Sequence, residues 1–459
     1  MALRNNQSSA TINVEKLELG HAPQSAEVED TRRGNIFGAI ANCVNTVIGA
    51  GVLSIPFSVG TIGWALGAIL LILGAFGSWF SVNLLNRCAL ILSGYETSYG
   101  EVARRINIWY AVVVDILLMI LLLFVSILYL GISANFVVDA FKFMAPNAPA
   151  DAWYLSRTFF LTLIAVCVCG PLSYFRKVTF LQYTSAMAVF FILYTVVLTA
   201  VYATKPANEI CGGFMSENNI TSCYGPNCCV SDAPDAACCV GLVSAFIWDF
   251  KSIMQAIPTF ITAYTCQPQI FSIYNDLRNA TPKKMDIVSG SALSICALLY
   301  ILMGICGYVT YGSHINDDLL GSYPLNVEVT IARLGLGFVV AVSYPLLMHP
   351  TRDAVLNNIF QFSKIEPDSK TGTIMYYSVV TFLVGLTYLV AFFDIQVTII
   401  LRIAGIVSTA NLMFTFPAIY YWILFKHEGY SKRRIACIPT FFAGIFISLV
   451  NAGLWIAEP

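Results

Sequence analysis

Apolar residues fall along this chain in long stretches separated by short polar segments, without the repeated polar face of a helix packed against one core. The stretches have the length, about 17–25 residues, at which a helix crosses a ~30 Å hydrocarbon core. Eleven such spans are predicted: Asn35–Phe57, Trp64–Leu85, Val112–Phe141, Tyr154–Cys169, Thr179–Ala203, Ile253–Ile273, Ile287–Tyr311, Val327–Met348, Ile374–Phe393, Val397–Phe425 and Ile435–Ala457. The segment before them, residues 1–34, mixes acidic and basic side chains without an apolar run and reads as a disordered tail rather than a secretory or transit peptide.

Composition fixes the class. Of the 459 residues, 58% are hydrophobic and only 11% charged, and the mean hydropathy is +0.73. A water-soluble globule cannot cover its surface with so few charges, whereas a chain dissolved in lipid has no such need. The expected fold class is therefore an all-α polytopic membrane protein with the lipid bilayer as its surroundings. With 25 Lys+Arg against 26 Asp+Glu, no cationic excess invites nucleic acid. Placing the tail in the cytoplasm and alternating sides puts 19 of the 25 basic residues in cytoplasmic segments. Basic residues concentrate on that side, so the N-terminus is expected in the cytoplasm and the C-terminus outside or in a lumen.

The long far-side loop, residues 204–246, divides spans one to five (35–203) from spans six to ten (247–425), and residues 426–459 hold a short loop and the eleventh span. Six of the fourteen cysteines lie in this loop: Cys211, Cys223, Cys228, Cys229, Cys238 and Cys239. An even set of thiols on an oxidising side implies disulfides of open connectivity. The sequon at Asn219 is a candidate glycosylation site.

Two spans are chemically unlike the rest. The first carries Gly49-Ala50-Gly51 with Pro56 five residues on; the sixth carries Pro258 and Pro268 with small and polar residues between them. Gly and Pro weaken a helix, and in a bilayer unwound backbone survives only where it lines a cavity or is buried in protein. Interruptions at spans one and six, five helices apart, are the expected sign of a five-plus-five inverted repeat with the eleventh helix appended. A helix broken at mid-membrane offers free N–H groups on one half and free C=O groups on the other. It can thus hold a carboxylate and an amine without a charged side chain, and amino acids are the candidate substrates.

The segments Asn42 to Pro56, Phe175-Arg176-Lys177 to Ser185, Tyr264-Thr265-Cys266-Gln267-Pro268-Gln269 to Leu277, Ser343-Tyr344-Pro345-Leu346 to Arg352, and Phe416-Pro417-Ala418 resemble the amino acid/auxin permease family. That family includes sodium-coupled neutral amino acid transporters and vacuolar amino acid transporters. The resemblance implies a leucine-transporter-like fold with discontinuous helices 1 and 6. It implies a substrate carboxylate on the backbone N–H groups of Gly49, Ala50 and Gly51, and a side-chain pocket drawn from Thr262, Tyr264 and Thr265. It also implies ion-binding roles for Asn45 and Ser343.

Ionisable residues in or near spans are costly and often functional. Asp115 is expected at the cytoplasmic interface and Asp139 at the outer end of its span beside Lys142. Glu328 and Arg333 are expected as a loose pair at the far-side mouth, and Arg402 as a snorkelling residue or a partner for Asp394. No nucleophile–base pair, phosphate loop or metal motif is present in the sequence, so neither an enzyme nor a cofactor is expected. The reading is a monomeric secondary transporter of amino acids at the plasma membrane or a vacuolar or lysosomal membrane, coupled to sodium or proton movement. The alternative is an amino acid-sensing receptor with the same fold and little transport.

Overall fold

In the computed structural model, residues 34–91, 98–145, 147, 149, 152–175, 182–205, 242–324, 326–363, 365–366 and 369–456 are described. The loop cysteines Cys211, Cys223, Cys228, Cys229, Cys238 and Cys239, the sequon at Asn219 and nearly all of the N-terminal tail lie outside them.

The described chain is helical, with one isolated backbone bridge, Gly34 to Leu277. Its helices are α1 (Ile36–Val47), α2 (Ile55–Ile62), α3 (Trp64–Ile91), α4 (Tyr99–Ile106), α5 (Ile108–Met144), α6 (Arg157–Ile164), α7 (Gly170–Ser173), α8 (Gln182–Tyr202), α9 (Phe250–Ala263) and α10 (Gln267–Asp276). They continue with α11 (Pro282–Tyr311), α12 (Leu319–Ser322), α13 (Val327–Phe362), α14 (Lys370–Phe392), α15 (Val397–Ala404), α16 (Phe416–Leu424) and α17 (Lys432–Ile456). Wider π turns join α6 to α7 and α15 to α16. Seven helices are long and apolar enough to cross a membrane, and α1 with α2 adds an eighth crossing if that bent pair is one span. Two shorter apolar helices, Arg157–Ser173 and Met187–Tyr202, lie where the fourth and fifth spans are expected.

Both interruptions are present. Asn35 caps α1, its Oδ1 accepting from Gly38 N at 2.6 Å. The helix stops at Val47, Gly49 is extended, and a 3₁₀ turn from Ala50 to Ser54 leads into α2, which is bent 52° from α1. Pro56 does not cause the break; it sits in the first turn of α2, where a missing N–H costs nothing. Likewise Pro258 stays inside α9, while Pro268 opens α10 after an unwound segment at Tyr264, Thr265 and Cys266. The freed backbone is satisfied internally, as apolar surroundings require. The Tyr300 hydroxyl of α11 donates toward both Val47 O at 2.7 Å and Ala263 O at 2.9 Å, the ends of α1 and α9. Ser78 of α3 donates to Tyr264 O at 2.9 Å and accepts from Gln267 Nε2 at 3.2 Å.

The two broken helices are also joined away from their breaks. Gly34 N donates to Asp276 O at 3.1 Å and Arg278 N to Gly34 O at 3.0 Å, tying the start of α1 to the end of α10. At the opposite end Ile247 N donates to Ile62 O at 2.9 Å, where α2 finishes. Around them, α5 packs along α13 and α3 along α11. Gly405 admits α9 against the π turn after α15: a Cβ there would lie 2.6 Å from Pro258 Cβ and 2.8 Å from its carbonyl oxygen.

Three expectations about charge are corrected. Glu328 and Arg333 do not pair, because residues five apart on a helix point to different faces. Arg333, with 3% of its side chain exposed, instead reaches Asp139 at 3.4 Å, Leu320 O at 2.5 Å and Tyr323 O at 3.2 Å, so it ties α12 and the chain after it to α5. Asp115 is buried rather than interfacial, and meets Arg104 of α4 at 3.0 Å. Asp394 pairs with Arg157 at 2.9 Å, an ion pair across sequence that no helical spacing suggests.

Candidate functional site

The two breaks face a common cavity of about 400 Å³. Volume of this order is what small-molecule sites provide, roughly 300–1,000 Å³. One wall is α1 and its break, with Asn42, Asn45, Thr46, Gly49 and Gly51; the facing wall is the end of α9 and α10, with Thr262, Thr265, Gln269, Ser272 and Asp276. Tyr129 of α5, Ser343 of α13 and Leu401 of α15 close the sides. Ser272 and Asp276 are exposed, so the cavity opens toward the end of the molecule where α1 begins. Asp276, at that mouth, is the one acidic or basic residue among the lining residues.

Most of the residues anticipated from sequence converge here. Gly49 and Gly51 line the cavity, and Ala50 between them opens the 3₁₀ turn. The first N–H groups of a new turn have no earlier carbonyl within it, which suits an anionic oxygen. Thr262 and Thr265 line the opposite wall. The Thr265 hydroxyl donates to Ile261 O at 2.9 Å, while that of Thr262 reaches Leu401 O at 3.4 Å and Thr409 Oγ1 at 3.3 Å. Tyr264 does not join them. Its ring is fully buried on the other side of the segment, 5.0 Å from the Tyr300 ring centroid and against Gly74 of α3. Tyr264 N still donates to Phe260 O at 3.3 Å, and at about 100° per residue its side chain leaves the helix roughly opposite Thr262.

Asn45 and Ser343 are brought together in a second, smaller cavity of about 30 Å³ that adjoins the first and also touches Gly49 and Tyr129. This is the volume of about one water molecule. Side-chain oxygens of Asn45, Ser343 and Tyr129 edge it, and aliphatic groups such as Val52, Ile192 and Val340 fill the remaining wall. Among the described residues, no group of three or more His, Cys, Asp or Glu side chains is placed to hold a metal ion.

Tyr129 was not anticipated from sequence, although it lines both cavities and its hydroxyl lies against Gly49. A tyrosine within Leu-Tyr-Leu of an apolar span carries no motif of its own. The same holds for Tyr300 and Ser78, which with Gln267 stabilise the unwound backbone from behind.

Two interrupted helices thus enclose a central, nearly uncharged cavity among helices long and apolar enough to cross a membrane. The chain belongs to the amino acid/auxin permease family: the model described as "Transmembrane amino acid transporter protein" matches residues 32–458. It is 24% identical to the vacuolar amino acid transporter 5 of Schizosaccharomyces pombe over 93% of this chain and 95% of that one. It is 23% identical to the human sodium-coupled neutral amino acid transporter 4 over 91% of this chain and 84% of the relative. The vacuolar amino acid transporter 6 of Saccharomyces cerevisiae is 25% identical over 72% of this chain and 68% of its own length.

Proposed function

We propose that this protein is a secondary active transporter that moves amino acids across a membrane by alternating access, coupled to a sodium or proton gradient. The observation that carries the reading is the cavity shared by the two helix breaks. Gly49 N already donates to Val47 O at 2.9 Å, so a zwitterion would place its carboxylate on the N–H groups of Ala50 and Gly51, against the Gly49 backbone, and its amine toward the carbonyl end of α9, with Thr262 and Thr265 beside it. The aliphatic wall from α5 and α13, together with the lack of a cationic lining side chain, favours neutral amino acids. Asn45 and Ser343 supply the side-chain oxygens of the ion site.

In this reading all eleven apolar segments cross the membrane in a five-plus-five inverted repeat, with the shorter fourth and fifth segments completing the first repeat. The positive-inside bias places the N-terminus in the cytoplasm, so the cavity described is open to the cytoplasm. α1 and α9 are bridged at their breaks by the Tyr300 hydroxyl of α11, and the broken helices are bonded directly at both ends. They would therefore rock as one body against α5 and α13, closing the mouth at Asp276 and opening the far side.

Uptake of labelled amino acids by proteoliposomes holding the purified chain tests the proposal, with sodium and pH gradients imposed separately. Accumulation above equilibrium under one gradient, abolished when an ionophore dissipates it, is expected. Binding without accumulation under either gradient would overturn it in favour of a sensor. Asn45→Ala should reduce the dependence on that gradient, and an unchanged ion dependence would remove Asn45 from the ion site.

A further inference from the structure

The last two helices leave a second site with no part in the cavity just described. α16 and α17 diverge around a groove of about 300 Å³, walled by Ala418, Trp422, Cys437, Ile438, Phe441 and Phe442. Its walls are almost wholly apolar, and α17 is the crossing least covered by protein, with 17% of its membrane window buried. Side chains that shape the groove, Ile438 and Phe442 among them, also face outward, so the groove opens to the hydrocarbon of the bilayer. A slot of this kind fits an acyl chain.

One end of the groove is polar. Arg434 lies one helical turn before Cys437 and Ile438, its guanidinium 4.3 Å over the Trp422 ring. Nη1 donates to Gly429 O at 2.7 Å and to Lys426 O at 3.3 Å, which folds the turn between the helices around it. Arg434 is only 8% exposed, yet its Nε is buried without a hydrogen-bond partner in the protein. Lys426, Lys432 and Arg433 are exposed at the same turn, which holds a single acidic residue, Glu428. The turn is therefore a cationic rim over an apolar slot, complementary to a phosphate joined to acyl chains.

We propose that the groove between α16 and α17 binds one anionic glycerophospholipid, with an acyl chain along Trp422, Ile438 and Phe442 and its phosphate on Arg434, Lys432 and Arg433. The lipid meets the positive charge of the rim and fixes the otherwise sparsely packed α17 against α16. A sterol could fill the slot, but its single hydroxyl would leave the charges of the rim unused.

Native mass spectrometry of the full-length protein, stripped of lipid in detergent, tests this. It would be titrated with phosphatidylserine, with phosphatidylcholine of the same chains, and with cholesterol. The first phosphatidylserine should bind at least ~10-fold more tightly than phosphatidylcholine. Removing two exposed charges in Lys432→Gln/Arg433→Gln should cut that preference by at least roughly fivefold, the worth of one such charge. Arg434→Gln should abolish it, and Ile438→Trp, which fills the slot, should weaken both phospholipids. Equal binding of the two phospholipids by the wild type, a preference untouched by the double variant, or tighter binding of cholesterol would each overturn the proposal. Arg434→Gln also loosens the turn, so the decision rests on the exposed double variant and on Ile438→Trp. The titration uses no substrate and no gradient, and its failure is thus distinct from a failure of the transport reading.

Discussion

Gly49→Ala is the sharpest test of how the first break meets the scaffold. Gly49 has φ −96° and ψ −158°, an extended conformation open to any residue, so alanine meets no backbone strain there. What it meets is Tyr129: an added Cβ falls well inside van der Waals contact of the hydroxyl oxygen, while the next atoms, Cζ and Cε1, stand at 3.5 and 3.8 Å. Overpacking of this kind costs about 1–3 kcal/mol, or roughly 5- to 150-fold if it falls on the conformation that transports. Tyr129→Phe removes the one offending atom and leaves an ordinary contact. By itself it should cost no more than a hydrogen bond, about 0.5–1.5 kcal/mol, or roughly 2- to 12-fold. The double variant Gly49→Ala/Tyr129→Phe should therefore transport about as well as Tyr129→Phe and far better than Gly49→Ala. The measurement is the initial uptake rate of a labelled amino acid by proteoliposomes below saturation, with melting temperature as a control for folding. A double variant whose loss equals the product of the two single losses would refute the reasoning, because independent sites behave that way.

Three further outcomes follow from neighbouring observations. Tyr264→Phe should change melting temperature and uptake little, since the hydroxyl it removes is buried without a partner, whereas Thr262→Val should lower uptake because Thr262 lines the cavity and its hydroxyl holds that wall to Leu401 O and Thr409; the reverse order would sink the placement of Tyr264 behind the site. Arg333→Met should destabilise by about 3–5 kcal/mol, and Asp139→Asn by clearly less, because Arg333 then keeps its bonds to Leu320 O and Tyr323 O; thermal melts with equal losses would count against the anchoring of α12 by Arg333. Asp318 caps α12 in the loop after α11, and burial pushes its carboxyl up from 3.8 to about 7, against the pull of Arg333. Below 3.8 the group is protonated folded or unfolded. Between 3.8 and about 7 the unfolded chain holds fewer protons, so this contribution to stability falls as pH rises through that window. Asp318→Asn, which can still cap, should flatten melting temperature between pH 4 and 7; a steeper fall than in the wild type would contradict the assignment.

The sequence by itself determined the class of protein, the places where its helices break and most of the side chains around the cavity. Each rests on a local property. Apolar length decides which segments can enter lipid, and Gly49-Ala50-Gly51 and Pro268 lower the cost of unwinding where they stand, whatever surrounds them. Asn45, Thr262, Thr265 and Ser343 were named through the resemblance to the amino acid/auxin permease family, at polar positions within apolar runs.

Tertiary structure alone decided which groups meet across the chain. Tyr264 stands among the polar residues of its segment, yet it packs against Gly74 and Tyr300 behind the site, while Tyr129 enters from a helix with no distinguishing pattern. Tyr300 can hold the ends of α1 and α9 together only because α11 packs behind both breaks. Arg333 passes over Glu328, five residues away, for Asp139 on α5, and Asp394 pairs with Arg157 from far along the sequence. Such pairings depend on how helices pack, and spacing along one helix carries no information about the neighbour it will meet.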